Sequence, residues 1–203
     1  MSSPRFSAAS PAAPRAVAFI DGQNLFHSVR EAFGYRYPNY DPGQLATEVC
    51  QLKGWNLTQT RFYTGVPSRN RDVKWHEFWK RKALRMNRAG VHVETRPLRY
   101  TRELLEDGTY AHIGREKGID VRIAIDVMKL SNRKQFDVCL LFSQDQDLAE
   151  LVPEIRDAAR RQGRWIKLAC AYPMGPGTRN RQGIRNTDWI RVERALYDRC
   201  LDP

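Results

Sequence analysis

Short apolar runs that read as strands alternate with stretches of helical periodicity along almost the whole chain, and that alternation leaves few folds open. "RAVAFI" at residues 15–20 leads into "DGQNLFHSVREAF", where Leu25, Val29 and Phe33 recur at helical spacing. "DPGQLATEVCQL" opens a second helix, with Asp41 as N-cap and Pro42 at the first helical position. "NLTQTRFYTGV" at residues 56–66 has the β-branched and aromatic content of a strand. A basic helix from about Asp72 to Asn87 stops at Gly90, and "VHVETRPLRY" is the next strand. "ELLEDGTYAHIGREKG", with its Asp107-Gly108 turn signal, reads as a hairpin excursion. Helical spacing returns from Ile119 to Leu130, with Val121, Ile125 and Met128 on one face. Val138 to Phe142 is a wholly apolar strand, followed by a helix to about Gln162 and the strand "WIKLACAY". A Gly/Pro/Arg-rich loop and a final helix from about Trp189 to Cys200 close the chain. The expected architecture is α/β, a three-layer α/β/α sandwich around a mostly parallel sheet with a β-hairpin outside it. No repeat or linker divides the chain, so residues 15–203 are expected to form one domain behind a disordered Ser/Ala/Pro-rich tail at 1–14.

No apolar run approaches the roughly 20 residues that span a bilayer, which excludes a membrane protein of the helical kind. Lys and Arg outnumber Asp and Glu by 34 to 23, a net charge of +11. That excess favours a polyanionic partner, nucleic acid before an anionic membrane surface. The cysteines Cys50, Cys139, Cys170 and Cys200 are widely spaced and form no zinc or disulfide pattern. This suits a reducing compartment, and a cytoplasmic location is expected.

In open parallel sheets, ligands bind beyond the carboxyl ends of strands, where the strand order reverses. Carboxylates stand at such ends here. Asp21 closes the first strand, and Asp145 and Asp147 follow the Val138 to Phe142 strand just past Ser143. Asp120, in the first turn of its helix, joins them if it faces the sheet edge. Clustered carboxylates repel and resist ionisation unless a positive charge sits among them. Mg²⁺ or Mn²⁺, as one ion or two, answers that need through oxygen ligands, and a metal so held activates water and stabilises a phosphoryl group in transit. A plainer reading stands beside this one: Asp147 as the N-cap of the following helix, Asp21 as a turn residue before Gly22. Asp126, four residues after Arg122, reads as a surface ion-pair partner outside the site. The four histidines show no paired ligand spacing.

Three segments in order, "VAFIDGQNLFHSV", "REKGIDVRIAIDVM" and "LLFSQDQDLAELV", closed by "QGIRNTDWIRV", resemble the NYN domain of the PIN-like nuclease superfamily. The resemblance spans about residues 15–200. It implies a five-stranded parallel core in the order 3-2-1-4-5, with the first and fourth strands adjacent, and metal-dependent hydrolysis of RNA. Asp21 corresponds to the acid that ends the first strand and Asn24 to the amide after it. Asp120 corresponds to the acid of a Lys-Gly-hydrophobic-Asp motif, and Ser143, Asp145 and Asp147 to a Ser-x-Asp-x-Asp loop. Gln144 stands where the family often has Gly, and Leu148 where it often has an aromatic residue, which leaves the acids intact but bears on substrate fit. The implied roles make Asp21 and Asp145 primary metal ligands, with Asp120 and Asp147 completing the shell. Asn24 and Ser143 orient carboxylates or the scissile phosphate.

RNA, in single-stranded form, is the expected partner, with a homo-oligomer allowed for. Lys82 and Arg85 on the basic helix, Lys117 before Gly118, and Arg179, Arg181 and Arg185 in the late loop are the candidates for backbone contacts. Trp75, Phe78 and Trp79 read first as core and second as a base-stacking platform. A haloacid-dehalogenase phosphatase would need an Asp two residues after Asp21, where Gln23 stands, and a dinucleotide-binding oxidoreductase would need a G-x-G-x-x-G that "DGQNLF" lacks. The alternative function is a non-catalytic RNA-binding or scaffolding module on the same fold.

Overall fold

The computed structural model describes residues 9–104, 106 and 108–202. Most of the tail expected at 1–14, and Asp107 of the expected turn, lie outside the described residues. Strand β1 (Arg15–Asp21) runs into helix α1 (Gly22–Phe33), and α2 (Pro42–Leu52), β2 (Asn56–Val66), α3 (Val73–Arg88) and β3 (His92–Pro97) follow. The hairpin β4 (Arg99–Leu104) and β5 (Tyr110–Arg115) leads to α4 (Ile119–Asn132) and β6 (Val138–Phe142). A 3-10 turn (Gln146–Glu150), α5 (Leu151–Gln162), β7 (Lys167–Pro173), β8 (Asp188–Val192) and α6 (Arg194–Asp198) complete the order.

One sheet of six parallel strands, in the order β3-β2-β1-β6-β7-β8, forms the middle layer. Successive side chains of a strand face opposite ways, so a strand covered on both faces supplies two cores. On β1, Ala16, Ala18 and Ile20 pack with Leu25 and Val29 of α1, Leu45 and Val49 of α2 and Trp79 of α3. Val17 and Phe19 face the other way, toward Ile123 and Val127 of α4 and Val152 and Ile155 of α5. Burial on both faces is why β1 and β6 read as unbroken apolar runs. The four cysteines are free and buried, as the apolar context of Cys139 and Cys170 implies. Among the described residues, no helix is long and apolar enough to cross a membrane.

Local chemistry sets the helix starts. Asp21, Asp41 and Asp72 each accept a hydrogen bond from the backbone N–H three residues on, at Asn24, Gln44 and Trp75. The glycines Gly34 and Gly163 end α1 and α5 in the left-handed conformation, at φ of 82° and 62°.

The sheet has six strands rather than five, because residues 188–192 form β8 where a helix from about Trp189 was expected. Ile190 and Val192 are buried while Asp188, Trp189 and Arg191 are exposed, a period of two that a short run disguises as helix. Only α6 remains of that helix. The run "VHVETRPLRY" divides at Leu98 into β3 and the first hairpin strand. On α4 the face with Val121 and Ile125 is exposed, at 54% and 43%, and the buried stripe is Ile119, Ile123, Val127 and Leu130.

Asp126 belongs to that buried face and is only 3% exposed, so the surface pairing expected for it is corrected. It does meet Arg122, at 3.3 Å, but its Oδ2 also accepts hydrogen bonds from Arg61 Nη2 at 3.0 Å and from the Tyr63 hydroxyl at 2.9 Å. Burial pushes the Asp126 carboxyl up, but the hydrogen bonds from Tyr63 and Arg61 and the charge of Arg61 outweigh it and hold the group below the usual range. Breaking a buried ion pair from one side leaves the other charge uncompensated. Asp126→Ala is therefore expected to destabilise the protein by about 3–5 kcal/mol in urea unfolding, and a loss below about 1 kcal/mol would contradict the buried pairing.

Candidate functional site

The strand order reverses between β1 and β6, which are neighbours with Ile20 opposite Phe142. Both strands end at the same edge, so Asp21 comes level with the start of the Ser143–Asp147 loop. A cleft of about 240 Å³ opens there, lined by Asp21, Glu116, Asp120 and Asp145 together with Gln23, Asn24 and His27.

Each side chain is set by its own element. Asp21 is 7% exposed, and its Oδ1 accepts the Asn24 N–H at 3.0 Å, so the carboxylate that faces the cleft also caps α1. The Asn24 side chain reaches across to the loop after β6, where its Oδ1 accepts the Gln144 N–H at 2.9 Å. Ser143 Oγ accepts the Asp145 N–H at 3.2 Å, and Asp145 Oδ1 accepts the Asp147 N–H at 3.0 Å. Asn24 and Ser143 thus brace the loop that carries Asp145.

Two of the carboxylates are held against their preference. Burial pushes the Asp21 carboxyl up to about 6 against the pull of the Asn24 N–H, and the charges of Asp145 and Asp120 add to the rise. Glu116, past the end of β5, was not anticipated from the sequence. Both of its carboxylate oxygens are buried without a hydrogen-bond partner. Burial first, and the charge of Asp21 next, push it up to about 8, while the Gly65 backbone N–H pulls it down from nearby without reaching hydrogen-bond geometry. Its signal was present in "REKG", two residues before Gly118, but no periodicity distinguishes a glutamate there from a solvated one. Oxygen donors of this kind fit a hard divalent cation. Among the described residues, however, no three acidic, histidine or cysteine side chains are gathered closely enough to hold an ion as they stand.

Other expected site residues fall elsewhere. Asp147 is exposed and lines a separate shallow groove with Ala124 and Met128 of α4 and Leu151 of α5. Lys82 is 2% exposed, and its Nζ donates to the Tyr40 carbonyl at 3.0 Å and to Asp202 Oδ2 at 2.7 Å. The expected RNA contact is corrected: this amine ties α3 to the end of the chain. Arg85 is more exposed but shares Asp202, at 2.8 Å. Lys117 is exposed and outside the lining of the cleft.

Arg179, Arg181 and Arg185 are exposed on the loop between β7 and β8. That loop is gripped by the two glutamines that alternate with the acids in "SQDQD". Gln144 Nε2 donates to the carbonyls of Asn180 and Gln182 at 2.8 and 2.9 Å. Gln146 donates to the Gly183 carbonyl at 3.1 Å and accepts the Arg185 N–H at 3.2 Å. At Gly177 a Cβ would lie 2.3 Å from the Glu31 carbonyl oxygen, so glycine is what lets the loop press onto α1.

A family model described as "NYN domain" matches residues 15–170. No curated protein matches the sequence. Among solved structures, the chain is similar to a protein of unknown function, VPA0982 from Vibrio parahaemolyticus, at 20% identity and a TM-score of 0.54, covering 92% of this chain and 96% of that one. That likeness concerns the fold alone. MurG from Acinetobacter baumannii matches at 8% identity and a TM-score of 0.34, over 88% of this chain and 46% of that one, too distant to carry an argument.

The raised carboxyls give a pH dependence with a definite sign. Asp21 and Glu116 stand above their ordinary values of 3.8 and 4.5. Their contribution to stability is complete below about pH 4 and is lost as pH rises through about 6 and about 8. The melting temperature of the chelator-treated protein is expected to fall over that range. Asp21→Asn keeps the helix cap and removes the charge, so at pH 8 it should stabilise the metal-free protein by up to about 3 kcal/mol. A variant less stable than wild type at pH 8 would contradict the electrostatic reading.

Proposed function

The chain belongs to the NYN domain family of the PIN-like nuclease superfamily, whose members are generally hydrolases acting on RNA, and from that premise we propose that it is a metal-dependent ribonuclease that cuts single-stranded RNA. The observation that carries the proposal is the cleft itself: four carboxylates at the switch point of a parallel sheet, two of them pushed up first by burial and further by the neighbouring acids.

Asp21, Asp120 and Asp145 would hold Mg²⁺ or Mn²⁺, with Glu116 in the position that Asp147, outside the cleft, does not fill. When bound, such an ion supplies a water acidic enough to attack at neutral pH and a counter-charge for the phosphoryl oxygens. The protein's own part is positioning. Asn24 and Ser143 hold the loop of Asp145 against the end of β1, which fixes where that carboxylate stands relative to Asp21. Glu116, protonated near neutrality in the metal-free protein, can release that proton as the cleft gains positive charge and can take one up from the water that attacks. Arg179, Arg181 and Arg185 offer exposed cations for flanking phosphates, which makes binding salt-sensitive.

One observation favours a second reading. The carboxylates are spread around the cleft rather than drawn to ligating distance, as suits an RNA-binding module without chemistry. Cleavage of a labelled single-stranded RNA separates the two. With Mn²⁺ or Mg²⁺ present, Asp145→Asn is expected to lower the rate by more than about 100-fold, beyond the loss of a merely supporting group, with RNA affinity retained. Equal traces from wild type and variant at matched purity would leave the binding module as the better account.

A further inference from the structure

Next to the carboxylate cleft, and sharing Gln23 and His27 with it, lies a larger cavity of about 590 Å³. Three parts of the fold build it. Phe26 comes from α1, Trp75 and Trp79 from α3, and Tyr100 from the hairpin strand β4. Glycines keep it open: a Cβ at Gly65 would lie 2.4 Å from Leu98 Cδ2, and one at Gly114 would lie 3.0 Å from the Tyr100 ring. The size falls within the roughly 300–1,000 Å³ of sites that enclose a small ligand.

The aromatic rings divide by role. Trp79 is nearly buried and completes the core against Phe62, as the sequence reading held for this cluster. Trp75 is only half-buried, set edge-on to Phe78 at 5.1 Å between centroids, and it lines the open space. At the rim, the exposed Arg71 guanidinium sits 5.4 Å from the centroid of the Tyr100 ring.

We propose that this cavity is a nucleobase pocket, which takes one unpaired base of an RNA strand whose adjoining phosphate lies in the carboxylate cleft. The inference rests on the RNA-cleaving reading above for that phosphate and names the feature of the substrate the site selects. A base is flat, with two faces that stack on aromatic rings and an edge that hydrogen-bonds. Trp75, Phe26 and Tyr100 supply the rings, and Gln23, His27 and His112 supply polar groups at the edge. Arg71 adds a cation for the backbone that leads in. An apolar peptide side chain would use the rings but neither the polar edge nor the cation, nor would it follow the continuity with an acidic cleft. A paired base cannot enter, so the cavity selects single strands over duplex.

Binding measured with a chelator present tests the pocket without cleavage. The probe is a fluorescein-labelled eight-nucleotide single-stranded RNA of mixed sequence, compared with a duplex of that sequence. Trp75→Leu keeps apolar bulk in helix α3 and removes the stacking face, and Trp75→Phe restores a ring. Single-strand affinity is expected to drop about 5–100-fold in Trp75→Leu and to return to within about threefold in Trp75→Phe, with duplex affinity unchanged. Equal single-strand affinity in wild type and Trp75→Leu would overturn the proposal, as would an equal loss on both probes. If the single-strand effect appears but wild type cuts no RNA with Mn²⁺, the pocket stands and the nuclease reading falls.

Discussion

Parallel pairing of β1 with β6 is the constraint on which the rest of the molecule depends. These two strands follow each other in the sheet but are separated in sequence by most of the domain, and the chain leaves them in opposite directions. A crevice is left where the connections part, and whatever the sequence places just past Ile20 and Phe142 faces into it. Helices α1, α2 and α3 cover one face and α4 and α5 the other, because the central strands β1, β6 and β7 are apolar on both sides. The cleft is thus a consequence of topology before it is a consequence of any acid. The acids make use of it.

Electrostatics then decides what the crevice is worth. Negative charge is collected in a protein whose total is +11, and it is collected where burial makes it most costly. Asp126, equally buried, is surrounded by Arg61, Arg122 and Tyr63 and stays ionised without strain. The contrast between the two buried aspartates is the clearest internal evidence that the cleft is not packed for stability. One was given its cations by the fold, and the other was not.

Much of this could be read from the residues alone, and the failures have specific causes. Strong signals survived: the apolar strands, the Asp41-initiated helix, the hairpin, and the placing of Asp21 and Asp145 on one edge, where Asp120 joins them and the equally expected Asp147 does not. Strand β8 was lost because five residues alternate too briefly to defeat a helical reading that continued into α6. The apolar stripe of α4 lies one step around the helix from Val121 and Ile125, since these are as apolar as Ile119 and Ile123 and only tertiary packing chooses between them. Lys82 and Asp126 share one lesson. A charged side chain beside others looks solvated in sequence, and only distant partners such as Asp202 and Arg61 show it to be interior. Glu116 was invisible for the opposite reason: what marks it is the lack of a partner.

The two glutamines of "SQDQD" carry a consequence of another kind. Within that segment Asp145 points toward the cleft, while the amides of Gln144 and Gln146 point toward the loop of Arg179 and Arg185. The position of Asp145 in the cleft and the reach of the arginine loop are therefore calibrated by one short ruler. Lengthening the arginine loop between its clasps, or trimming it, pulls on the same backbone that spaces the carboxylates. A change of length in this loop is thereby transmitted, through Gln144 and Gln146, to the place where the Asp145 carboxylate stands.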